Sequence, residues 1–259
     1  MAGAATPRGI GVYTSRIVRE WDDRHAAKEI AEYCEMACRH VALCVEGSKG
    51  WRAEPSVLAD VADHLRAAGI SPWVYALPSR EAWQQPDVLA DRLADAGESC
   101  GAIGWVPDVE EQARGLHGHV SRFRRRLTDR ANERVSIGVT YYGRIPLAPP
   151  RGDAFPWAAI LGWGWAGYQL YETAADRHAV RSRMATARTH WGADVIPHLA
   201  TYQRRDGGDG AERLRSDIER TCIDDAGAVD VPGVWLWQDS TTDAAERAVL
   251  GAFSARAGW

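Results

Sequence analysis

The chain has 259 residues, of which 46% are hydrophobic and 25% are charged, and its formal net charge is −4. This composition is that of an ordinary globular protein with enough residues to bury a large core. The sequence carries no strongly basic segment of the kind that binds nucleic acid, and no apolar run approaches the roughly 18 residues of a membrane-spanning helix. We therefore expect no nucleic-acid partner and no membrane insertion.

The N-terminal residues and the cysteines indicate the compartment in which the chain is made. Residues 1–8 contain no charged stretch followed by an apolar one, so we expect no secretory signal peptide and synthesis in the cytoplasm. The five cysteines are odd in number and lie in or beside predicted helices and strands. They are predicted to be buried thiols rather than a disulfide framework. Cys34 and Cys38 lack a second cysteine pair, and we expect no zinc site.

Segments with strand character alternate with segments of helical periodicity along the chain. Eight strands are predicted, over residues 8–15, 41–46, 70–77, 101–111, 135–142, 163–171, 195–202 and 234–239. A helix is predicted after each strand, over residues 22–38, 54–69, 86–96, 115–132, 155–161, 174–191, 211–226 and 244–255. Strand–helix alternation implies a parallel sheet, and eight repeats in about 250 residues imply a closed barrel. The fold class is therefore predicted to be α/β, a single (β/α)8 TIM barrel that spans residues 1–259 as one domain.

An open, doubly wound sheet is the alternative fold. Its nucleotide-binding members carry a glycine-rich turn after the first strand, and Gly9-Ile-Gly11 lies inside the strand without the third glycine. The barrel is the better interpretation.

Several local features of the helices carry their own predictions. Ala26, Ile30 and Cys34 recur at helical spacing and are predicted to form part of a buried stripe. Gly97 is predicted to close the third helix. The arginine-rich run at residues 122–126 is predicted first as a solvated face and second as an anion contact. The 12 tryptophans have two interpretations, as large core side chains or as flat surfaces for sugars.

The fourth predicted strand, Gly-Ala-Ile-Gly-Trp-Val-Pro-Asp-Val-Glu-Glu at residues 101–111, ends in carboxylates. Asp108 and Glu110 are two residues apart, so an extended chain points them to the same side. In a TIM barrel the C-terminal strand ends form the active-site face. The alternative is structural: Asp108 orders the turn after Pro107, and Glu111 caps the following segment.

Paired carboxylates suit the cleavage of glycosidic bonds. This reaction needs one acid that is protonated near neutral pH and a second group that stabilises positive charge on the sugar. Repulsion between two adjacent acids, together with partial burial, raises the pKa of one of them. We predict that Glu110 is the general acid. Asp108 then stabilises charge, or orients a substrate N-acetyl group that itself attacks.

The other strand ends carry acids, aromatic rings and amides, which suit a neutral polyhydroxylated ligand. The predicted substrate-binding residues are Glu46, Tyr75, Tyr141, Gln169, Tyr171, Tyr202, Trp237, Gln238 and Asp239. We find no arginine clamp or phosphate-binding turn in the sequence. His117 and His119 begin a helix, and His198 is predicted to be a core histidine, so we expect no metal site and no cofactor. No lysine lies in a predicted strand, which argues against a Schiff base.

Two short stretches resemble the family 25 glycoside hydrolases, the lysozyme-like muramidases that cut peptidoglycan. That family carries an Asp-x-Glu at the end of strand four, as in Trp105-Val-Pro-Asp-Val-Glu110, and a Trp-Gln pair on the last strand, as in Trp235-Leu-Trp-Gln-Asp239. The resemblance implies a glycoside hydrolase with Asp108 and Glu110 as catalytic residues and peptidoglycan or a related polysaccharide as substrate. Strand one departs from the pattern, with Tyr13 where that family places an aspartate.

The resemblance also implies an endolysin-like role. Together with the missing signal peptide it favours a protein made in the cytoplasm that reaches the wall by lysis, through a holin, or as a subunit of a phage or phage-tail-like particle. One alternative is a catalytically inactive barrel that binds glycan or serves as a structural part of a larger particle, which the missing aspartate favours. The other is a lyase or isomerase, which the lack of a strand lysine, metal cluster and phosphate site disfavours.

Overall fold

The computed structural model describes residues 6–20, 22–141, 154–170, 177–192, 194–200, 210–238 and 242–259. Its strands are β1 (Gly9–Thr14), β2 (Cys38–Glu46), β3 (Ser71–Ala76), β4 (Gly104–Val109), β5 in two segments (Ser136–Ile137 and Val139–Tyr141), β6 (Ala166–Gln169), β7 (Val195–Ala200) and β8 (Gly233–Gln238). Neighbouring strands pair in parallel, and the β3–β4 and β1–β8 pairs close the sheet on itself. The predicted TIM barrel is confirmed.

Helices follow the strands and surround the barrel. They are α1 (Arg16–Arg19), α2 (Asp23–Glu35), α3 (Pro55–Ala67), α4 (Arg80–Trp83), α5 (Pro86–Ser99), α6 (His117–Arg130), α7 (Trp157–Ile160), α8 (Arg177–Trp191), α9 (Gly210–Thr221) and α10 (Ala244–Ala257). A short 3-10 helix, Glu111–Ala113, comes directly after β4. Within the described residues, no helix is long and apolar enough to cross a bilayer.

Side-chain caps define where two of these helices begin. The Asp22 carboxylate accepts a hydrogen bond from the His25 backbone N–H at the start of α2. Asp243 and Glu246 form a reciprocal capping box at the start of α10. Such caps satisfy backbone N–H groups that have no partner within the helix. Both helices begin within one residue of their predicted starts.

Two predictions about helix ends are wrong. α2 ends at Glu35, because Cys38 already belongs to β2, and Cys34 is exposed rather than part of the buried stripe. The other four cysteines are buried, as predicted. α5 continues past Gly97 to Ser99. Gly97 serves packing instead, since a Cβ atom at this position would overlap the Trp105 indole.

The barrel interior is filled by tryptophans that lie opposite glycines. Trp73, Trp165 and Trp235 are almost wholly buried there. Side chains in TIM-barrel interiors are usually branched aliphatics, and an indole needs more room. Glycines on neighbouring strands provide that room, because a Cβ atom on any of them would overlap an indole; these are Gly11, Gly104 and Gly138. For these three tryptophans the core interpretation is correct.

The arginine-rich helix α6 pairs with its neighbour α5. Asp87, Asp91 and Asp95 are spaced four residues apart on α5, so they lie along one face of the helix. Their partners on α6, with the same spacing, are Arg122, Arg126 and Arg130. Arg122 and Arg126 of the run are exposed, as predicted, and their charges are compensated by acids of helix α5.

Candidate active site

Asp108 and Glu110 lie together at the C-terminal end of β4. Asp108 is only 1% exposed, whereas Glu110, one residue beyond the strand, is partly exposed. The Glu110 side chain makes no capping bond to the 3-10 helix that follows it. Glu111 lies in the first turn of that helix and pairs with Arg114. The local arrangement therefore leaves the Glu110 carboxyl directed at Asp108, as the two-residue spacing predicts.

The two carboxyl groups lie close enough to share a hydrogen bond once one of them is protonated. Burial raises the pKa of Asp108 well above its ordinary value, and the charge of Glu110 raises it further. Burial also raises the pKa of Glu110. The Oδ2 atom of Asp108 is buried and has no hydrogen-bond donor among the described residues. The pair thus keeps a proton at a pH where an isolated carboxyl group would have lost it.

Gln169, the last residue of β6, connects the acid pair to the next strands. Its Nε2 donates to Asp108 Oδ1 at 3.0 Å and to Thr140 Oγ1 at 3.3 Å. The bond to Asp108 lowers the pKa of that carboxyl, against the larger effect of burial. The nearby Gln169 amide also lowers the pKa of Glu110. The structure therefore places this predicted residue against both acids.

Thr140 and His198 belong to the same hydrogen-bonded group, and the sequence did not predict either as part of the site. Thr140 Oγ1 and His198 Nδ1 are 3.1 Å apart, and both side chains are fully buried. Burial lowers the pKa of His198 to about 3, so its imidazole is neutral at physiological pH. His198 is a core histidine, as predicted, but one end of it faces the site. The period-two alternation of β5, in which Thr140 follows Gly138 on the same face, is the signal that identifies Thr140.

Three aromatic side chains pack together on β1, β3 and β8, and one of them, Tyr13, lies near enough to Asp108 to be affected by its charge. The ring centroids of Tyr13 and Trp237 are 5.4 Å apart in a stacked arrangement, and Tyr75 meets both edge-on at 5.1 and 5.4 Å. Burial and then the charge of Asp108 raise the pKa of Tyr13, which stands where the family 25 pattern has an aspartate. Tyr75 and Trp237 thus share one aromatic group with Tyr13, and Trp237 is its partly exposed member.

The structure separates two predicted residues from this site. Glu46 pairs with Arg52 and Arg92, because an irregularity in β2 between Cys44 and Glu46 reverses the alternation of the strand. Its carboxylate consequently faces the helices α3 and α5 rather than the barrel interior.

Tyr141 also points outward, but through the regular alternation of β5. It stacks with Tyr168 and Trp191 and meets Trp157 edge-on, all on the helix side of the barrel. Thr140, the preceding residue, takes the inward position on β5. The prediction of Glu46 and Tyr141 as substrate-binding residues is therefore corrected.

Four further residues predicted for the site have side chains that the structure does not describe. Tyr171, Tyr202 and Asp239 lie outside the described residues, and Gln238 ends β8 without a described side chain. In the described part of the chain, no group of three histidine, cysteine or acidic side chains is arranged to hold a metal ion. His117 and His119 lie at the start of α6, as predicted.

Comparison with known proteins supports the fold. No protein-family model and no curated protein matches this sequence. Solved structures do match. A GH18 chitinase from Pseudoalteromonas aurantia matches with a TM-score of 0.68 at 15% identity. The alignment covers 95% of this chain and 99% of the chitinase chain. The spore cortex-lytic enzyme SleL from Bacillus cereus has a TM-score of 0.65 at 11% identity and covers 96% of this chain and 74% of its own.

An endo-1,4-beta-mannanase from Rhizomucor miehei has a TM-score of 0.66 at 8% identity and covers 98% of this chain and 99% of its own. At such identities a structural likeness establishes the fold and not the activity. The finer resemblance to family 25 stays a prediction. The chain has a TIM barrel of the kind found in glycoside hydrolases.

Proposed function

We propose that this protein is a glycoside hydrolase that cleaves the glycan strands of bacterial peptidoglycan, with Glu110 and Asp108 as its catalytic residues. The observation that carries the proposal is the pairing of a buried carboxyl group, Asp108, with a partly exposed one, Glu110, at the C-terminal end of β4, where Gln169 holds Asp108. This end of the barrel is where enzymes with this fold hold their active sites. The barrel likeness to two chitinases and a spore cortex-lytic enzyme agrees with a polysaccharide substrate.

The closeness of the two acids favours one of the mechanisms open to such a site. Retaining and inverting hydrolases separate their carboxyl groups by about 5 Å or more, so that a sugar or a water fits between them. Asp108 and Glu110 instead lie within hydrogen-bonding reach of each other, and among the described residues the other acid whose charge acts on Glu110 is Glu111, which is exposed. Asp108 is therefore poorly placed as a nucleophile. A group on the substrate fits that role better.

In the proposed reaction the carbonyl oxygen of a substrate N-acetyl group attacks the anomeric carbon. The glycosidic C–O bond breaks, and the leaving oxygen takes the proton of Glu110. Asp108 orients the N-acetyl group and stabilises the positive charge that develops on it. Water then opens the cyclic intermediate, with Glu110 as the base.

The aromatic residues account for binding. Trp237 is the partly exposed member of the Tyr13–Tyr75–Trp237 group and offers a flat surface to the apolar face of a sugar ring. In this proposal we also keep the prediction that four further side chains contact the substrate: Tyr171, Tyr202, Gln238 and Asp239. An endolysin-like role, with delivery by a phage or phage-tail-like particle, belongs to the same proposal and depends on the family 25 resemblance alone.

The test is the release of reducing ends from purified peptidoglycan by the wild type, Glu110→Gln and Glu111→Gln. We expect Glu110→Gln to lower the rate by about 10²- to 10⁴-fold, the usual contribution of a general acid. Glu111→Gln changes an exposed neighbouring acid and is expected to keep the activity. Chemically de-N-acetylated peptidoglycan is expected to resist cleavage. Equal activity of wild type and Glu110→Gln contradicts the assignment.

A non-catalytic glycan-binding barrel is the second candidate, and the observation that favours it is Tyr13. The strand-one aspartate of family 25 is replaced here by a phenol whose hydroxyl is buried without a partner among the described residues. Binding of peptidoglycan without release of reducing ends, over a wide pH range, is the outcome that supports this alternative.

A further inference from the structure

We propose that Thr140 and His198 are positioning residues for the acid pair. Acting through Gln169, they fix the rotation of the Asp108 carboxyl group, so that Oδ1 stays on the amide and Oδ2 stays available to Glu110. The effect of this arrangement on catalysis rests on the proposed function, whereas its effect on the two carboxyl groups does not.

The hydrogen bonds form one continuous chain across three strands. Gln169 on β6 has two amide protons on Nε2 and directs one at Asp108 Oδ1 and the other at Thr140 Oγ1. With that bond accepted, the Thr140 hydroxyl keeps its own proton to donate. His198 Nδ1, 3.1 Å away on β7, is the acceptor it meets. Both Gln169 amide protons and the Thr140 hydroxyl proton therefore have partners when the imidazole is neutral and carries its hydrogen on Nε2, an atom that is buried without a partner among the described residues.

His198 is held in place by the barrel interior. Its ring packs against Tyr13 at 4.9 Å and Trp235 at 6.3 Å between centroids. Gly167 on β6 lies so close that a Cβ atom there would overlap the imidazole. A close-packed ring of this kind has little freedom to turn. It is therefore a rigid anchor at the end of the chain, and burial of the ring keeps it uncharged.

This anchoring matters because the Gln169 amide donates the hydrogen bond that holds the Asp108 carboxyl group. Asp108 Oδ2 has no hydrogen-bond partner among the described residues, so the Gln169 bond to Oδ1 is the one that fixes the rotation of this carboxyl group. If the Thr140 hydroxyl is lost, one buried N–H of Gln169 is left unpaired, which costs free energy and favours a rotated amide. A rotated amide would release the Asp108 carboxyl from its orientation.

The first test compares Thr140→Val, which keeps the shape but removes the hydroxyl, with Thr140→Ser, which keeps the hydroxyl. We expect Thr140→Val to lower kcat on peptidoglycan by about 10- to 100-fold, as a misplaced catalytic group does, with KM changed less than about twofold. Thr140→Ser is expected to recover most of kcat. Thr221→Val, a buried threonine in α9 that bonds the Asp217 carbonyl, is the matched control and is expected to keep kcat.

A double-mutant cycle tests whether the two residues act in series. We expect His198→Phe to lower kcat in the same direction, and Thr140→Val with His198→Phe to be no worse than Thr140→Val alone. Additive effects of the two changes overturn the proposal. So does a Thr140→Ser variant as impaired as Thr140→Val, or a loss that appears only in KM.

A measurement without substrate separates this inference from the proposed function. Carboxyl groups labelled with ¹³C can be titrated by NMR in the wild type and in Thr140→Val, after circular dichroism has shown that both are folded. We expect the Asp108 titration to move to higher pH in Thr140→Val, because the Gln169 bond that stabilises the carboxylate is weakened. Unchanged titration of Asp108 overturns the positioning role. A shifted titration in a protein without hydrolytic activity supports the positioning role and contradicts only the proposed function.

Discussion

Asp108 is a carboxyl group in a place where a negative charge is costly. Burial and the charge of Glu110 raise its pKa in the folded protein above the unfolded value, which is about 4. A carboxyl group of this kind contributes stability that is fully present below the unfolded pKa. That contribution is lost as the pH rises through the folded pKa. The acid pair therefore reduces the stability of the protein near neutral pH, as functional groups often do.

A prediction follows for Asp108→Asn. The asparagine side chain still accepts the Gln169 hydrogen bond, but it cannot ionise. We therefore expect the free energy of unfolding at pH 8 to rise by about 1 to 3 kcal/mol. This is the usual cost of an imperfectly paired buried polar group. At pH 4 we expect little change, because Asp108 is protonated there. Urea unfolding at both pH values measures the difference, and the variant should lack hydrolytic activity. A variant that is less stable than wild type at pH 8 contradicts this account of Asp108.

Trp237 is expected to serve the substrate rather than the core. Since it is partly exposed and stacks on Tyr13, Trp237→Ala should raise KM for peptidoglycan by about tenfold, which corresponds to about 1.4 kcal/mol, with a smaller change in stability. Steady-state kinetics with soluble peptidoglycan fragments measure this. Trp259→Ala is the control, because Trp259 packs on Phe253 at the end of α10. Similar KM values for Trp237→Ala and wild type contradict the binding role.

At the level of elements, the strands are shaped by the indoles that they enclose. Gly104 on β4 faces Trp73 on β3, and a side chain on Gly104 would overlap the six-membered ring of the indole. An enclosed indole in a closed barrel has little room to move, since interiors are close-packed. The glycines of β1, β4 and β5 are therefore required by packing, although glycine weakens a strand by itself.

We expect Gly104→Ala to destabilise the protein by about 1 to 3 kcal/mol or more, the cost of overpacking a core. Gly118→Ala is the matched control, because this glycine lies in α6 with nothing near its would-be Cβ atom. There alanine should stabilise the helix by about 0.5 to 1 kcal/mol. Thermal unfolding of the two variants gives the comparison. Equal melting temperatures for Gly104→Ala and wild type contradict the packing argument.

Helices α5 and α6 show a second organisation at this scale. The facing rows of acids and arginines join the two helices along three successive turns. Arg130 by itself forms ion pairs with three acids of α5, which are Asp91, Asp95 and Glu98. Exposed ion pairs are worth about 0 to 1 kcal/mol each and less at high salt. The rows therefore contribute more to the register of the two helices than to stability.

For the whole molecule, closure of the barrel joins the two ends of the chain. β1 pairs with β8 from Gly9 opposite Gly233 to Thr14 opposite Gln238. The acid pair and the residues around it come from β1, β3, β4, β5, β6, β7 and β8. The site therefore exists only when the barrel is closed.

We expect unfolding to be one cooperative transition, as for a single domain over residues 1–259. Near-UV circular dichroism reports the tryptophan-filled interior, and far-UV circular dichroism reports the helices. Their urea transitions should coincide. Two separated transitions contradict the single-domain prediction.

Part of this structure follows from the sequence alone. The alternation of strands and helices is local, because it depends on periodicities of two and 3.6 residues and on capping residues such as Asp243. Eight such units then leave a closed barrel as the natural arrangement. The position of Asp108 and Glu110 on the same side is also local, since they are two residues apart on one strand.

The rest depended on tertiary structure. Glu46 and Tyr141 are suitable site residues by type and by position, yet an irregularity in β2 turns one outward, and the alternation of β5 turns the other outward. Thr140 and His198 look like core residues in the sequence, yet they meet Gln169 through strands that pair only in the folded barrel. The physical reason is that alternation predicts which residues share a face, but pairing and bulges decide which face points inward.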